Sequence, residues 1–402
     1  MFTRLRCYLF LFVFLLPSCY LRKAYQFRKM QRDDIYKMAS TSFQPSATPF
    51  QFLASNSALT GSLKSELDKE LLNTNTWAFV VIRNDSVLYE NYFEGAVPAT
   101  KMASFSAAKS ITSTLLEMAR EERKVGSFED PLTNYIPELK KKDSRFERIQ
   151  LQQVLDMRSG IKTDENFANP KSDVVKIAFT SNLYHRLFQI GIDTTPGIFQ
   201  YKSANTQYLA LAIERATGQK FQDYFFNKIW LPLGMQYEAS WNMDSERRRN
   251  VKAFCCFNAA ALDYAKFGRL LLRKGNWQGK QLFDANWIAT TTSADTMKKY
   301  GGYKNQFWAA TAFSYFTDSV QALQAFKSNR LAAKFRGYEN PKNGQRNFYV
   351  SHYDGSFHAE GMFDQFVYVN PKNNVIIVRL GQSWKHPVWK SREFIYQLGQ
   401  GL

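Results

Sequence analysis

Ser106-Ala107-Ala108-Lys109 sets a hydroxyl and an amine three residues apart at the start of a stretch with a strong helical period. A serine hydroxyl is a poor nucleophile until a base takes its proton. On a helix, positions i and i+3 lie on one side, one turn apart, so Lys109 can be that base once burial strips its charge. The same helix start offers the backbone N–H of Ser106 to a developing oxyanion. The pattern alone is not selective: it occurs twice, as often as chance gives for 29 Ser and 30 Lys in 402 residues. Context separates the two. In Ser159-Gly160-Ile161-Lys162 the glycine follows a helical stretch and reads as a helix stop, so its serine and lysine need not share a face. In the first, Ala108, Ile111, Leu115, Met118 and Ala119 make an apolar side, with Ser106, Lys109, Ser110, Ser113 and Glu117 opposite. A solvated serine and lysine at a helix start is the competing reading.

The elements that must position this pair follow from the pattern around it. Trp77 to Arg83 and Val87 to Tyr92 read as two strands of a hairpin about Asn84-Asp85-Ser86. Gln365 to Val369 and Val375 to Leu380 read as another strand pair, followed by an amphipathic helix from Ser391 to Leu398. The middle is mostly helical, punctuated by Asp130-Pro131, Ser159-Gly160, Pro196-Gly197 and Leu231-Pro232-Leu233-Gly234. The expected fold is mixed α/β: an antiparallel sheet built from both termini and flanked by helices, with an inserted, mostly helical lobe. Residues 61–125 and 295–402 would form the α/β lobe, and 126–294 the helical one. The segment 309–348 has no clear period and reads as an insertion. Residues 19–60 read as a basic, Ser/Pro-containing tether.

Composition excludes several classes. An apolar fraction of 45% with 22% charged residues is ordinary for a globular chain. The net charge of +18 invites a nucleic-acid reading, but residues 1–40 alone carry +6 and no nucleic-acid-binding module is recognisable, so no nucleic-acid partner is expected. Arg4 and Arg6 precede an apolar run to Leu16, which reads as a signal peptide over residues 1–18. Leu16-Pro17-Ser18-Cys19 resembles a lipoprotein cleavage box, although Pro17 departs from its usual small residue; Cys19 would then carry a lipid and hold the protein to a membrane. A signal anchor is the alternative, but 15 residues between Arg6 and Arg22 are short for a bilayer. The five basic residues that follow (Arg22, Lys23, Arg28, Lys29 and Arg32) argue against easy export. Cys255 and Cys256 remain in the body and are expected to be reduced, buried thiols. Four histidines and no Cys/His ligand spacing make a metal site improbable, and no cofactor is expected. No Gly-x-Ser-x-Gly elbow exists, and Gly275-Asn276-Trp277-Gln278-Gly279-Lys280 is one residue short of a phosphate-binding loop.

From about Trp77 to Leu380 the chain resembles the serine β-lactamase and penicillin-binding family, in its class C, esterase and 6-aminohexanoate-dimer hydrolase branch. The matching blocks run in order: the hairpin ending Tyr92-Phe93-Glu94-Gly95, Ser104 to Ser110, Glu129-Asp130-Pro131 with Tyr135 to Glu138, and Val154 to Gly160. Pro196-Gly197 then leads to Tyr201-Lys202-Ser203-Ala204-Asn205-Thr206, followed by Glu214 to Gly218, Asn258-Ala259 before Asp263 to Gly268, and the strand pair after Gly361. The resemblance implies a β-lactamase-like fold, Ser106 as nucleophile, Lys109 as its partner, and Tyr201 as the tyrosine that relays a proton to the leaving group. Ser203 stands where true lactamases carry Asn, which favours the esterase and oligomer-hydrolase branch. The third motif, Lys-Thr-Gly or His-x-Gly on a strand edge, is replaced by Phe357-His358-Ala359-Glu360-Gly361. In one register His358 takes the lysine position; in the other Ala359-Glu360-Gly361 replaces the triplet. The second oxyanion N–H is then expected at Gly361 or Met362, and Asn258 either lines the cleft or caps a helix.

These readings together point to an exported, periplasmic or cell-envelope serine hydrolase acting through an acyl-serine on a small-molecule or peptide-like ester or amide. The alternatives are a cell-wall D-peptidase, a weak β-lactamase, or a lipid-anchored binding protein that keeps the fold without turnover.

Overall fold

A computed structural model of the chain describes residues 20–29, 31–55, 59, 61–339, 344–384 and 388–402. The expected signal peptide and Cys19 lie outside the described residues. The described residues of the segment read as a tether are instead folded onto the body. Tyr20–Gln26 forms α1, whose Ala24 packs with Val174 and Val175. Ser40–Phe43 forms β1, antiparallel to Ala239–Asn242. Phe43 sits among Phe225, Trp230 and Phe257, a socket assembled from distant residues that local polarity does not reveal.

After α2 (Gly61–Leu72), the hairpin forms as β2 (Thr76–Arg83) and β3 (Ser86–Tyr92). Its two turn residues, Asn84 and Asp85, have φ of 51° and 62°, the tight-turn geometry that Asn and Asp tolerate. The chain continues through β4 (Met102–Ala103), α3 (Ala108–Glu121), α4 (Asp173–Phe179), α5 (Ser203–Thr217), β5 (Ala239–Asn242), β6 (Phe257–Ala259) and α6 (Ala261–Leu272). Then come β7 (Phe307–Phe316), α7 (Ser319–Ser328), β8 (Ala332–Glu339), β9 (Arg346–Gly361), β10 (Gln365–Asn370), β11 (Val375–Gly381) and α8 (Val388–Gly401).

The large sheet runs Tyr303–Lys304, β7, β9, β10, β11, β2, β3, Leu53–Ala54, with β8 also paired to β9. Val378 lies opposite Val80, so the two ends of the chain meet in the middle of the sheet. Strand β2 is buried on both faces. Ala78, Val80 and Ile82 join the main core with α3 and α6, while Phe79 and Val81 join a second core with α2 and α8. In the segment 309–348, read as an insertion, the described residues form β7, α7, β8 and the start of β9, which lengthen the sheet. The middle of the chain is less purely helical than its pattern implies. It supplies β5 and β6 to a second sheet, ordered β1-β5-β6-β4, which packs beside the start of α3.

Candidate active site

Ser106 lies in a single tight turn, Phe105–Ala107, that leads directly into α3. Phe105 has φ of 44°, an uncommon conformation for a bulky residue. Its ring meets Phe363 edge-on at 5.1 Å. The end of β9 presses on this turn: a Cβ at Gly361 would lie 2.1 Å from the Ser104 carbonyl oxygen, so only glycine allows the approach. The polar side of α3 is buried rather than solvated. Ser110 Oγ donates to the Gln306 carbonyl and Ser113 Oγ to the Asn305 carbonyl, each at 2.7 Å.

Lys109 is 1% exposed, and its Nζ donates to Ser106 Oγ and to the Phe254 carbonyl, both at 2.9 Å. Burial brings its pKa down to about 7, with the Glu165 carboxylate pulling the other way. Tyr201 stands just before α5, its ring stacked on Trp308 (5.9 Å) and edge-on to Tyr303 (6.0 Å), with Lys109 Nζ 5.1 Å from the ring centre. Burial raises the pKa of the phenol and hydrogen bonding to Ser106 opposes it, so at neutral pH Tyr201 is a phenol that can donate. The structure thus brings Ser106, Lys109 and Tyr201 together. It adds Glu165, which sequence reasoning missed because it lies in a loop with no motif of its own. Burial raises its pKa and Lys109 lowers it, and its Oε1 accepts from the Ser203 N–H at 2.8 Å. Ser203 therefore stands at the site and holds Glu165.

The remaining candidates separate. His358 lies on the α8 side of β9, with Nε2 2.9 Å from Glu360 Oε2 and its ring against Tyr396 and Phe366. Burial lowers its pKa against the pull of Glu360. Side chains alternate along a strand, so Ala359 and Gly361 face the nucleophile turn and the register is Ala359-Glu360-Gly361. His358 does not take the lysine position, and Met362 follows Gly361 beside Ser106. Asn258 neither lines the cleft nor caps a helix. It is buried in β6, its Nδ2 donating to Ser240 Oγ, Asn242 Oδ1 and the Cys256 carbonyl at 3.1–3.2 Å. The other Ser-x-x-Lys splits: Ser159 is buried and donates to Asn205 Oδ1 at 2.8 Å, while Lys162 is exposed. Cys255 and Cys256 are not free thiols but a disulfide. A turn closed by the Cys255 N–H to the Lys252 carbonyl (3.0 Å) carries the pair.

Ser106, the disulfide, Phe105, Phe254 and Met362 share a cavity of about 620 Å³, bounded beyond by α1, α4 and Phe167. That volume is in the range of small-molecule sites. Among the described residues, the group of three able to hold a metal is Glu117, Glu121 and Asp284, and Arg120 already bonds or pairs with each of them.

A family model described as Beta-lactamase matches residues 68–395. The chain is 27% identical over 299 residues to a 6-aminohexanoate-dimer hydrolase of Paenarthrobacter ureafaciens, covering 68% of this chain and 74% of that protein. It is 24% identical over 302 residues to a teichoic acid D-alanine hydrolase of Staphylococcus aureus (strain MRSA252), covering 72% of this chain and 64% of the relative. A solved structure from Bacillus anthracis, described as a candidate 6-aminohexanoate-dimer hydrolase, superposes with a TM-score of 0.67 at 22% identity over 90% of each chain. At that identity the likeness concerns the fold.

Proposed function

The chain belongs to the beta-lactamase family and is a serine hydrolase of it, and from that premise we propose that it cleaves an ester or amide bond through an acyl-serine at Ser106. The observation that carries this reading is the buried Lys109 amine, 2.9 Å from Ser106 Oγ and with its pKa near 7, so that much of it is neutral at physiological pH. Neutral Lys109 takes the proton as Oγ bonds to the substrate carbonyl carbon. The N–H groups of Ser106 and Met362 receive the oxyanion. Collapse breaks the bond to the leaving group, which takes a proton from Tyr201, and Lys109 returns one to Tyr201. Water then attacks the acyl-serine, losing its proton to the same pair, and the acid departs as Ser106 regains its hydrogen.

The relatives support both bond types, since one is named for an aminohexanoate dimer and the other for D-alanine on teichoic acid. The third motif argues against efficient β-lactam turnover. The strand presents Ala359 where the resemblance expects lysine, so that position supplies no cation for the β-lactam carboxylate. A fluorophosphonate probe is expected to label the native protein and not Ser106→Ala. No label on the native protein, or equal label on the variant, overturns the reading, and rapid nitrocefin turnover overturns the preference against lactams.

The proposal extends to the cell envelope, with residues 1–18 removed and Cys19 lipidated, on the strength of the basic start and the short apolar run. Intact mass of the protein from a membrane fraction is expected to show an acylated chain starting at Cys19. A chain that still begins at Met1 would overturn it.

A further inference from the structure

The cavity beside Ser106 is lined mostly by apolar side chains, among them Phe105, Phe167, Val175, Phe179, Phe254 and Met362. Tyr201, which must face the leaving group, is not in its wall; it stands in the cluster with Tyr303 and Trp308. The cavity therefore receives the part of the substrate that stays on Ser106, the acyl group.

Among the polar residues of the wall, Lys252 is the buried cation. Lys252 is 4% exposed. Its backbone is already used, the N–H by the Asn242 carbonyl and the carbonyl by Trp241 Nε1. Its amine has neither a hydrogen-bond nor an ion-pair partner among the described residues. The nearest acid, Asp244, is committed elsewhere: its oxygens accept from the N–H groups of Leu183, Ser245 and Asn250 and from Asn250 Nδ2. The charge of Lys23 on α1 acts on Lys252, and Arg28 and Lys29 stand in the same wall as Lys252. Burial and Lys23 both lower the Lys252 pKa, to about 7. The amine has no partner among the described residues and opens on the cavity, so a carboxylate delivered to it would form a charge-assisted hydrogen bond.

We propose that this cavity selects acyl groups that are apolar along their length and carry an anionic group, which Lys252 receives. The proposal rests on the acyl-serine reading above. The apolar wall would favour each buried methylene by about fourfold in kcat/KM. The lysine would discriminate a chain bearing a carboxylate from a neutral chain of the same length.

The test compares p-nitrophenyl monoesters of adipate, suberate and sebacate with neutral p-nitrophenyl alkanoates of matching length, using the full chain. The expected result is a kcat/KM at least about tenfold higher for the carboxylated ester at one or more lengths. Lys252→Met is expected to abolish or invert that ratio while fluorophosphonate still labels Ser106. The generally basic surface would favour anions in both proteins, so the change in ratio is the diagnostic quantity. Neutral esters equal or superior at every length on the native protein would overturn the proposal, as would an unchanged ratio in a labelled Lys252→Met protein. If that variant fails to label, Lys252→Gln supplies the same ratio, and the native series still decides on its own. Absence of label on the native protein would instead overturn the acyl-serine reading, so the two failures are distinguishable.

Discussion

Lys109 and Glu165 are a coupled pair in a place where water is scarce, and the sign of their coupling sets the pH behaviour. The base must be neutral to accept a proton, so kcat/KM for a p-nitrophenyl ester is expected to rise with pH through an apparent pKa near 7 and level off above it. The Glu165 charge favours the protonated ammonium and so raises the pKa of Lys109. Glu165→Gln keeps an oxygen for the Ser203 N–H but removes that charge. Its rising limb is therefore expected at lower pH than that of the native protein, and a limb that stays or moves up would remove Glu165 from this role. The Ser106–Lys109 pairing was legible in the sequence because it is local, one helical turn. Glu165 and the Phe254 carbonyl were not, because both reach Lys109 through tertiary folding and no spacing encodes them.

At the scale of elements, the end of β9 decides how the nucleophile turn is held. Period-two alternation permits either His358 or Ala359 to face Ser106, so the sequence left two registers open. The contact between Gly361 and the Ser104 carbonyl settles which face is which. The turn beyond is pinned by Arg379, fully buried, whose Nη1 donates to the carbonyls of Phe363 (2.6 Å) and Asp364 (3.0 Å) and whose Nη2 donates to that of Thr74 (2.8 Å). The strand end therefore has little room to retreat. Gly361→Ala is expected to cost about 1–3 kcal/mol of stability in urea titration, and to slow fluorophosphonate labelling of Ser106 because the Met362 N–H is displaced. Normal labelling in this variant would mean that the approach of β9 does not set the oxyanion geometry. Strands β2, β3, β10 and β11 and helix α3 were readable from periodicity and turn residues. Strand β1 was not, since four residues amid Ser and Pro carry no pattern and gain their order from β5.

The whole molecule closes on itself through pairings that no local segment could support alone. Strand β2 meets β11 from far along the chain, Val80 opposite Val378, and the site draws on residues 105–109, 165, 201–203, 254–256 and 361–363. Residues 20–29 and 31–55 belong to the same body, which changes the meaning of the basic arm: α1 is a wall of the cavity, and β1 completes the second sheet. Of the chain's basic residues, Arg28, Lys29 and Lys252 line that cavity. Phe43 tests the arm most directly. It is 4% exposed, and its ring centre lies 5.1 Å from that of Phe225 and 5.8 Å from that of Trp230. Truncating a buried phenylalanine removes its transfer energy and leaves a cavity, so Phe43→Ala is expected to lower unfolding stability by about 3–5 kcal/mol. A flexible tether would give almost no change, because an exposed ring has no socket to empty. Urea unfolding followed by tryptophan emission reads the difference, since Trp230 lies against the ring. A shift under about 0.5 kcal/mol would detach the arm from the fold, and with it the wall that α1 gives to the cavity.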